Sequence, residues 1–258
     1  MLTGLSLEIY EMKYKAETDA NWEETCRRVV QFIYKADNNL LAADKAYDLM
    51  CNLQFVPGGR ITEGAGTKKP YLLNCYALDI KDTIEDIYEK VKQTAVISKK
   101  NGGVGLGLSK IRPKDMKLSS GGVGSGPVSF MGVFNSSCSV IKTGSKNRRA
   151  ALISILDIWH PDSEEYIDAK RIDGALENFN ISVGITDGFV FAVENDLDWD
   201  LVFNGVVFKT IKARYLWDKL AYSGWMYNDP GLILHDAINR NNSMLHKYRL
   251  ELVNPCGW

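Results

Sequence analysis

The sequence lacks the features that mark several classes of protein. No apolar run approaches the ~20 residues needed to span a bilayer, and the opening residues MLTGLSLEIYEMKYK lack a basic stretch followed by an apolar one, so we expect no secretion signal. A formal net charge of -1 does not favour a nucleic-acid-binding surface, which would be basic. We find no internal repeat and no low-complexity tract. These absences predict an ordinary soluble protein without a membrane or nucleic-acid partner.

Paired cysteines are also absent. The five cysteines are odd in number and scattered, and none stands in a Cys-x-x-Cys pair, so neither a disulfide framework nor a zinc site is indicated. We therefore expect a reducing, cytoplasmic location, where a reactive thiol would serve redox or radical chemistry. The five are Cys26, Cys51, Cys75, Cys138 and Cys256.

The sequence has many glycines but no nucleotide-binding fingerprint that depends on them. Neither G-x-G-x-x-G nor G-x-x-x-x-G-K-[ST] occurs at the required place. Glycine-rich loops are nevertheless predicted, and with Lys and Arg nearby their backbone amides could approach phosphates. Tight turns between buried strands are the alternative, and the spacing alone leaves it open. The predicted loops are 55–67, 101–115, 119–130 and the basic stretch 144–149.

Between these loops, apolar periodicity predicts helices alternating with strands. Two helices are expected within 18–54, with a turn at Asn38-Asn39. Alternation through residues 70–255 favours an α/β barrel or sheet. The further predicted elements are a strand at 71–80, a helix starting at Asp82-Thr83, strands at 150–155 and 178–183, a helix capped by 160–163 and another starting at Thr186-Asp187.

The carboxy-terminal residues carry the most suggestive thiol. The apolar run 250–253 predicts a buried strand, and Cys256 would stand near its tip, a common position for reacting groups. The alternative is a small apolar residue near the end of the chain, as cysteine often is.

Ten motifs in order resemble the large catalytic subunit of ribonucleotide reductase, most closely its adenosylcobalamin-dependent branch. The metal-subunit-dependent class I shares much of the pattern. The resemblance implies an α/β fold, namely the amino-terminal part of a ten-stranded α/β barrel preceded by a small helical segment. The helical segment would be 1–69, and 70–258 would be the first part of the barrel, ending at the radical-cysteine finger loop. The motifs are PGGRI, NCYAL, the DT helix start, NGGVGLGLSKIRP, SGPVSFM, RRAA, HPD, NFNISV, NDPG and NPCG.

By this resemblance Cys256 becomes the thiyl radical that abstracts the ribose 3′-hydrogen. Asn254 positions the ribose hydroxyls, and Cys75 is the first cysteine of the reducing pair. The implied substrate-binding residues are Asn74, Cys75, Gly103, Asn254, Pro255 and Cys256. A deoxynucleoside triphosphate or ATP effector would contact Asp82, Thr83, Arg112, Lys146, Arg148 and Arg149.

The family pattern breaks at the last residue. A glutamate base is expected two residues after the radical cysteine, where this sequence has Trp258, whose indole cannot accept a proton at neutral pH. The second reducing cysteine and the later strands are also missing. We therefore expect an amino-terminal half that is inactive alone and needs a complementary carboxy-terminal half, in a split or truncated subunit.

The resemblance further implies a ribonucleotide substrate, a thioredoxin- or glutaredoxin-type reductant and a possible homodimer. The radical would come from adenosylcobalamin or from a separate metal-containing subunit, with no metal ligand in this chain. One alternative is a non-catalytic fragment that binds deoxynucleotides for regulation. Another is an oxidoreductase that uses a nicotinamide, which the missing fingerprint disfavours.

Overall fold

The structure is a computed structural model that describes residues 2–37, 39–68, 70–119, 121–141, 151–172 and 174–256. It contains two compact units, Met1–Asn74 and Cys75–Trp258. None of the helices in the described residues combines the length and the apolar character of a membrane-spanning segment.

The amino-terminal unit is helical. Both predicted helices within 18–54 are confirmed, and each begins after an asparagine cap: Asn21 accepts a hydrogen bond from the N–H of Glu24, and Asn39 accepts one from Ala42. Its core contains the buried side chains of Tyr10, Trp22, Cys26, Val29, Val30 and Met50. Its helices are α1 (Leu5–Ile9, continued by a π-helical turn, Tyr10–Tyr14), α2 (Trp22–Tyr34), α3 (Leu40–Cys51) and α4 (Gly59–Gly64).

Helix α4 corrects the predicted loop 55–67. The two glycines of GRITEG stand at the ends of the helix, and the four residues between them tolerate helical geometry. The hydroxyl of Thr62 also donates to the carbonyl oxygen of Pro57, which ties the helix to the segment before it.

The second unit confirms the predicted α/β fold. Among the residues described, its main sheet has five parallel strands in the order β1-β2-β3-β4-β7, and β5 and β6 form a separate antiparallel pair. The strands are β1 (Cys75–Asp79), β2 (Gly103–Gly107), β3 (Leu152–Asp157), β4 (Phe179–Ile185), β5 (Asp198–Phe203), β6 (Val206–Lys212) and β7 (Gly231–Leu234). The helices are α5 (Ile84–Lys99), α6 (Pro127–Ser139), α7 (Ser163–Ile167), α8 (Asp187–Glu194), α9 (Ala213–Tyr227) and α10 (His235–Arg240).

The two faces of the main sheet differ in their side chains. On one face, Val104, Leu106, Leu152 and Ile181 are buried in the core that the helices cover. Because strand side chains alternate, the residues between them point to the opposite face. On β2 these are all glycines, so that face of the strand has no side chains.

Strand β2 also corrects the predicted loop 101–115, since Gly103–Gly107 pairs with both β1 and β3. Farther on the chain turns tightly, where the N–H of Leu118 donates to the carbonyl oxygen of Gly122 and the φ of Gly122 is 93°. This turn joins the isolated bridge between Lys117 and Val123, and not two buried strands as the alternative had it. The last residues of the predicted loop 119–130 instead begin α6 at Pro127.

Candidate active site

A segment without strand pairing lies on the glycine face of β2. This finger segment, residues 250–256, was predicted to begin as a buried strand, and the structure shows no strand there. A Cβ atom at Gly105 would overlap the carbonyl oxygen of Val253, and one at Gly107 would overlap the side chain of Leu252. A Cβ atom at Gly103 would stand 2.9 Å from Cγ of Pro255. Three alternate glycines therefore make room for the finger segment against the sheet.

Two contacts hold the finger segment in place. Val253 is buried against Ile153 and Ile155 of β3. The buried side chain of Asn239 in α10 accepts a hydrogen bond from the N–H of Leu250 (2.8 Å) and donates one to its carbonyl oxygen (2.9 Å). The base of the segment is thus fixed by paired hydrogen bonds and its middle by apolar packing.

At the tip of the finger segment two predicted catalytic thiols meet. The sulfur atoms of Cys75 and Cys256 lie 3.5 Å apart, within hydrogen-bonding distance for sulfur. Cys75 is half-buried at the start of β1, whereas Cys256 is exposed. The side chain of Asn254 accepts a hydrogen bond from the N–H of Cys256 (3.1 Å), which shapes the turn that presents the thiol.

The other predicted substrate residues do not all lie beside the two thiols. Gly103 lies beside the thiols, since a Cβ atom there would stand 3.3 Å from Sγ of Cys75 and close to Pro255. Asn74 is exposed and belongs to the amino-terminal unit. The structure therefore brings Cys75, Gly103, Asn254, Pro255 and Cys256 together.

Two of the predicted effector residues are joined by hydrogen bonds, and a third, Thr83, is next to one of them in the sequence. The carboxylate of Asp82 accepts hydrogen bonds from the backbone N–H of Arg112 (3.0 Å) and from its Nε (2.7 Å). Thr83 caps α5 by accepting a hydrogen bond from the N–H of Asp86, as the predicted helix start requires. Lys146, Arg148 and Arg149 lie outside the described residues.

His160 of the HPD motif is buried and links two loops. Its Nε2 lies 2.9 Å from the carbonyl oxygen of Ile111, and its Nδ1 accepts a hydrogen bond from the N–H of Asp162. These partners require the neutral tautomer with the proton on Nε2. Burial lowers the pKa of His160, which agrees with a neutral ring.

Helix α7 begins at Ser163, as predicted from 160–163, but Asp162 at its N-cap position makes no side-chain cap hydrogen bond. The N–H of Lys114 donates to its carboxylate instead, at 2.9 Å. The HPD motif therefore joins the loop after β2 to the loop after β3.

A second polar pair lies at the carboxyl ends of the strands and was not predicted. Nε2 of His235 lies 2.7 Å from the carboxylate of Asp157, and a Cβ atom at Gly184 would overlap both side chains. The hydroxyl of Ser109 accepts a hydrogen bond from the N–H of Asp157. The position of His235 just after the apolar run GLIL was the available signal. Asp157 borders a cavity of about 290 Å³, whose other lining residues include Asp79, Gly107, Lys110, Trp159, Glu251 and Leu252.

The fold and the site define an α/β protein with two thiols in contact on one face of a parallel sheet. Residues 73–257 match the family model for the barrel domain of ribonucleotide reductase. The chain belongs to the ribonucleotide reductase family, and this confirms the resemblance drawn from its motifs.

Curated relatives point to the cobalamin-dependent branch. The chain is 45% identical over 214 residues to a vitamin B12-dependent ribonucleoside-diphosphate reductase of Thermoplasma acidophilum, covering 81% of this chain and 28% of that protein. It is 34% identical over 236 residues to a B12-dependent reductase of Mycobacterium tuberculosis, covering 90% of this chain and 34% of that one. A Streptomyces clavuligerus B12-dependent reductase is 33% identical over 251 residues, which are 87% of this chain and 26% of the relative. The chain thus spans between a quarter and about a third of these relatives.

Proposed function

We propose that this chain supplies the radical and reducing thiols for the reduction of ribonucleotides to deoxyribonucleotides. The observation that carries the proposal is the 3.5 Å contact between the sulfur atoms of Cys75 and Cys256. They lie on the glycine face of β2, within the region that matches the reductase barrel domain. Two thiols so close can act in turn on one ribose.

The roles proposed for the two thiols are those that the family resemblance implies, and they keep the electrons in balance. Cys256, as a thiyl radical, takes the 3′-hydrogen atom and returns it at the end, so that it is unchanged overall. The 2′-hydroxyl takes up a proton and leaves as water, and a hydrogen takes its place on C2′. This change needs two electrons and two protons in all, which the oxidation of two thiols to a disulfide releases. Cys75 supplies one of these electrons and a second thiol supplies the other, which leaves a disulfide. Of the two, Cys256 is the more exposed, which suits a group that must both receive a radical and reach the substrate.

Asn254, Pro255 and Gly103 are proposed to hold the ribose beside the thiols. Oriented placement of reacting groups can lower a barrier by several kcal/mol. Gly103 has no side chain to occupy the space beside Cys75, and Asn254 fixes the turn before Cys256. Asn74, next to Cys75 in the chain, is proposed as a further substrate contact.

Adenosylcobalamin is the proposed radical source, since the relatives are named as B12-dependent. When bound, adenosylcobalamin supplies a carbon-centred radical by cleavage of its cobalt–carbon bond. The residue of this chain that would receive the radical is Cys256, whose exposed S–H can give up a hydrogen atom without a path through other side chains. A radical from a separate metal-containing subunit would require the same exposed thiol.

We further propose that a complementary carboxy-terminal segment completes the site with a glutamate base and the second reducing cysteine. A thioredoxin- or glutaredoxin-type protein would then reduce the resulting disulfide. The supporting observation is that the chain spans 28% of its Thermoplasma relative. A homodimer remains part of this proposal.

Asp82, Thr83 and Arg112 are proposed as effector contacts, together with Lys146, Arg148 and Arg149. The paired hydrogen bonds between Asp82 and Arg112 fix one loop next to the start of α5. Titration with a deoxynucleoside triphosphate should show binding that R112A abolishes and K92A, on the exposed side of α5, leaves intact. Equal binding by R112A would reject this site. Binding that persists without any reduction would favour a regulatory protein.

The central test is reconstitution. The chain is combined with the segment of the Thermoplasma relative beyond the matched region, a ribonucleoside diphosphate, adenosylcobalamin and a dithiol. We expect deoxynucleotide by mass spectrometry and no product with C256S or C75S. C138A should leave the product unchanged, because it removes a buried thiol to which no role is assigned. Product from C256S would reject the role of Cys256. A full-length relative serves as the positive control. If it forms product under the same conditions and the unaltered chain does not, the reduction proposal is rejected.

A further inference from the structure

The two thiols at the tip of the finger segment are placed to react with each other. Their sulfur atoms lie 3.5 Å apart, so a change in side-chain torsion angles at one cysteine would bring them to bonding distance. Cys75 is fixed by the pairing of β1 with β2. Cys256 instead follows a turn that a side-chain hydrogen bond holds, at the exposed end of the finger segment. The exposed partner can therefore move toward the fixed one.

The other cysteines differ in exposure. Cys26 and Cys138 are buried, and burial raises the pKa of both thiols, so both stay protonated and slow to react. Cys51 is half-buried and hydrogen-bonds with Cys26. Cys256 is the exposed cysteine among the five. A soluble oxidant would therefore meet Cys256 first.

We propose that Cys75 and Cys256 form a reversible disulfide when the chain meets a small oxidised disulfide such as glutathione disulfide. The Cys256 thiolate attacks one glutathione sulfur and releases one glutathione thiolate, which forms a mixed disulfide. The Cys75 thiolate then attacks Sγ of Cys256 and releases the second glutathione. Two protein thiols are oxidised, one glutathione disulfide is reduced to two thiols, and the two protons pass to the glutathione thiolates.

This bridge would switch the site off. The bridge itself rests on the contact of the two sulfur atoms, whereas its effect on ribonucleotide reduction rests on the proposed function. In the oxidised chain neither sulfur carries a hydrogen atom, so Cys256 cannot become a thiyl radical by hydrogen transfer and Cys75 has no electron to give. A dithiol would restore both groups. The site would thus be protected from over-oxidation while it is unable to react.

The experiment treats the chain with glutathione disulfide and maps the peptides by mass spectrometry without reduction. We expect a linked peptide pair containing Cys75 and Cys256, a mass loss of two hydrogen atoms and no glutathione at either residue. C75S should retain one glutathione on Cys256, because no neighbouring thiol can release it. C138A is the matched control and should form the bridge as the unaltered chain does.

Three outcomes would overturn the proposal: stable glutathione on Cys256 of the unaltered chain, a bridge between Cys26 and Cys51 in its place, or a dimer linked through Cys256. The same mapping in urea shows whether the pairing needs the fold, and an equal yield of the bridge there would also reject it. Because the readout is a covalent bond and not product formation, the bridge can fail while reduction is active, or form while reduction is absent.

Discussion

The three glycines of β2 matter because they have no side chains. Gly103, Gly105 and Gly107 face the finger segment, and the backbone of Val253 occupies the place where a side chain on Gly105 would lie. Glycine in a strand often marks such a close approach of another chain segment. The spacing between the finger segment and the sheet is thus set at these residues, and with it the position of Cys256.

We predict that G105A displaces the finger segment. The added methyl group would overlap the carbonyl oxygen of Val253, and overpacking of this kind costs about 2 kcal/mol. Chemical denaturation should show that loss, and a short bifunctional thiol reagent should link Cys75 to Cys256 more slowly than in the unaltered chain.

The matched control is G132A in α6, where an added Cβ atom meets nothing within 4 Å. Because alanine favours the helix interior over glycine, this variant should be more stable by up to about 1 kcal/mol, with unchanged cross-linking. Equal cross-linking in G105A and G132A would contradict the role assigned to Gly105.

At the scale of helices and strands, local signals predicted some elements and failed for others. Thr83 and Thr186 cap the helices that the sequence places after them. Strand β2 was mistaken for a loop because glycine disfavours strands locally, and the reason for its glycines lies about 150 residues away in the finger segment. Residues 250–253 were mistaken for a strand because Val253 is buried by packing on a sheet face, without strand pairing.

In the candidate site, too, some contacts were predicted from the sequence and others were missed. Family motifs predicted residues that the structure brings into contact, Cys75 with Cys256 and Asp82 with Arg112. The pair of Asp157 and His235 was missed, because nothing local in the sequence relates the end of β3 to the start of α10. The catalytic roles stay predictions.

An ion pair joins the segment after α7 and the segment before β7 to strand β4. The carboxylate of Asp229, just before β7, contacts Nζ of Lys170 (2.6 Å) and accepts a hydrogen bond from the N–H of Ile181 in β4 (3.1 Å). Lys170 also donates to the carbonyl oxygen of Phe179. Both charged side chains are largely buried, with 20% of Lys170 and 12% of Asp229 exposed.

We predict that D229A costs about 3 kcal/mol of unfolding free energy, because it leaves a mostly buried ammonium group without its carboxylate. D229N should cost less, since an amide oxygen can still accept from Ile181. Guanidinium denaturation followed by circular dichroism would measure both. As a control, E89A breaks an exposed pair with Lys92 and should change little. Similar losses in D229A and E89A would contradict the buried role of the pair.

For the whole molecule, stability should depend on pH through His160. Burial holds the pKa of His160 below its ordinary value. Below about pH 6.5 the unfolded chain therefore binds a proton at this residue that the folded chain does not bind. The unfolding free energy should therefore fall as the pH drops from 7, by at most about 1.4 kcal/mol per pH unit. Burial raises the pKa of Asp162, which acts in the opposite direction.

Denaturation midpoints between pH 7 and about 5.5 would measure this dependence. H160Q keeps a donor and an acceptor without a titrating ring, so its slope should be flatter. H246Q alters an exposed histidine and should keep the slope of the unaltered chain. Equal slopes for H160Q and the unaltered chain would show that His160 is not the source.

The two thiols of the site are 181 residues apart in sequence. This separation determines when, during synthesis of the chain, the two can first meet. Cys75 leaves the ribosome when β1 has no neighbour, and Cys256 follows only after β2, β3, β4 and β7 have been made. Contacts so distant in sequence form late, because the intervening chain must first lose its freedom. A nascent chain therefore holds no assembled thiol pair, and the proposed radical chemistry must wait until the strands of the main sheet have all been made.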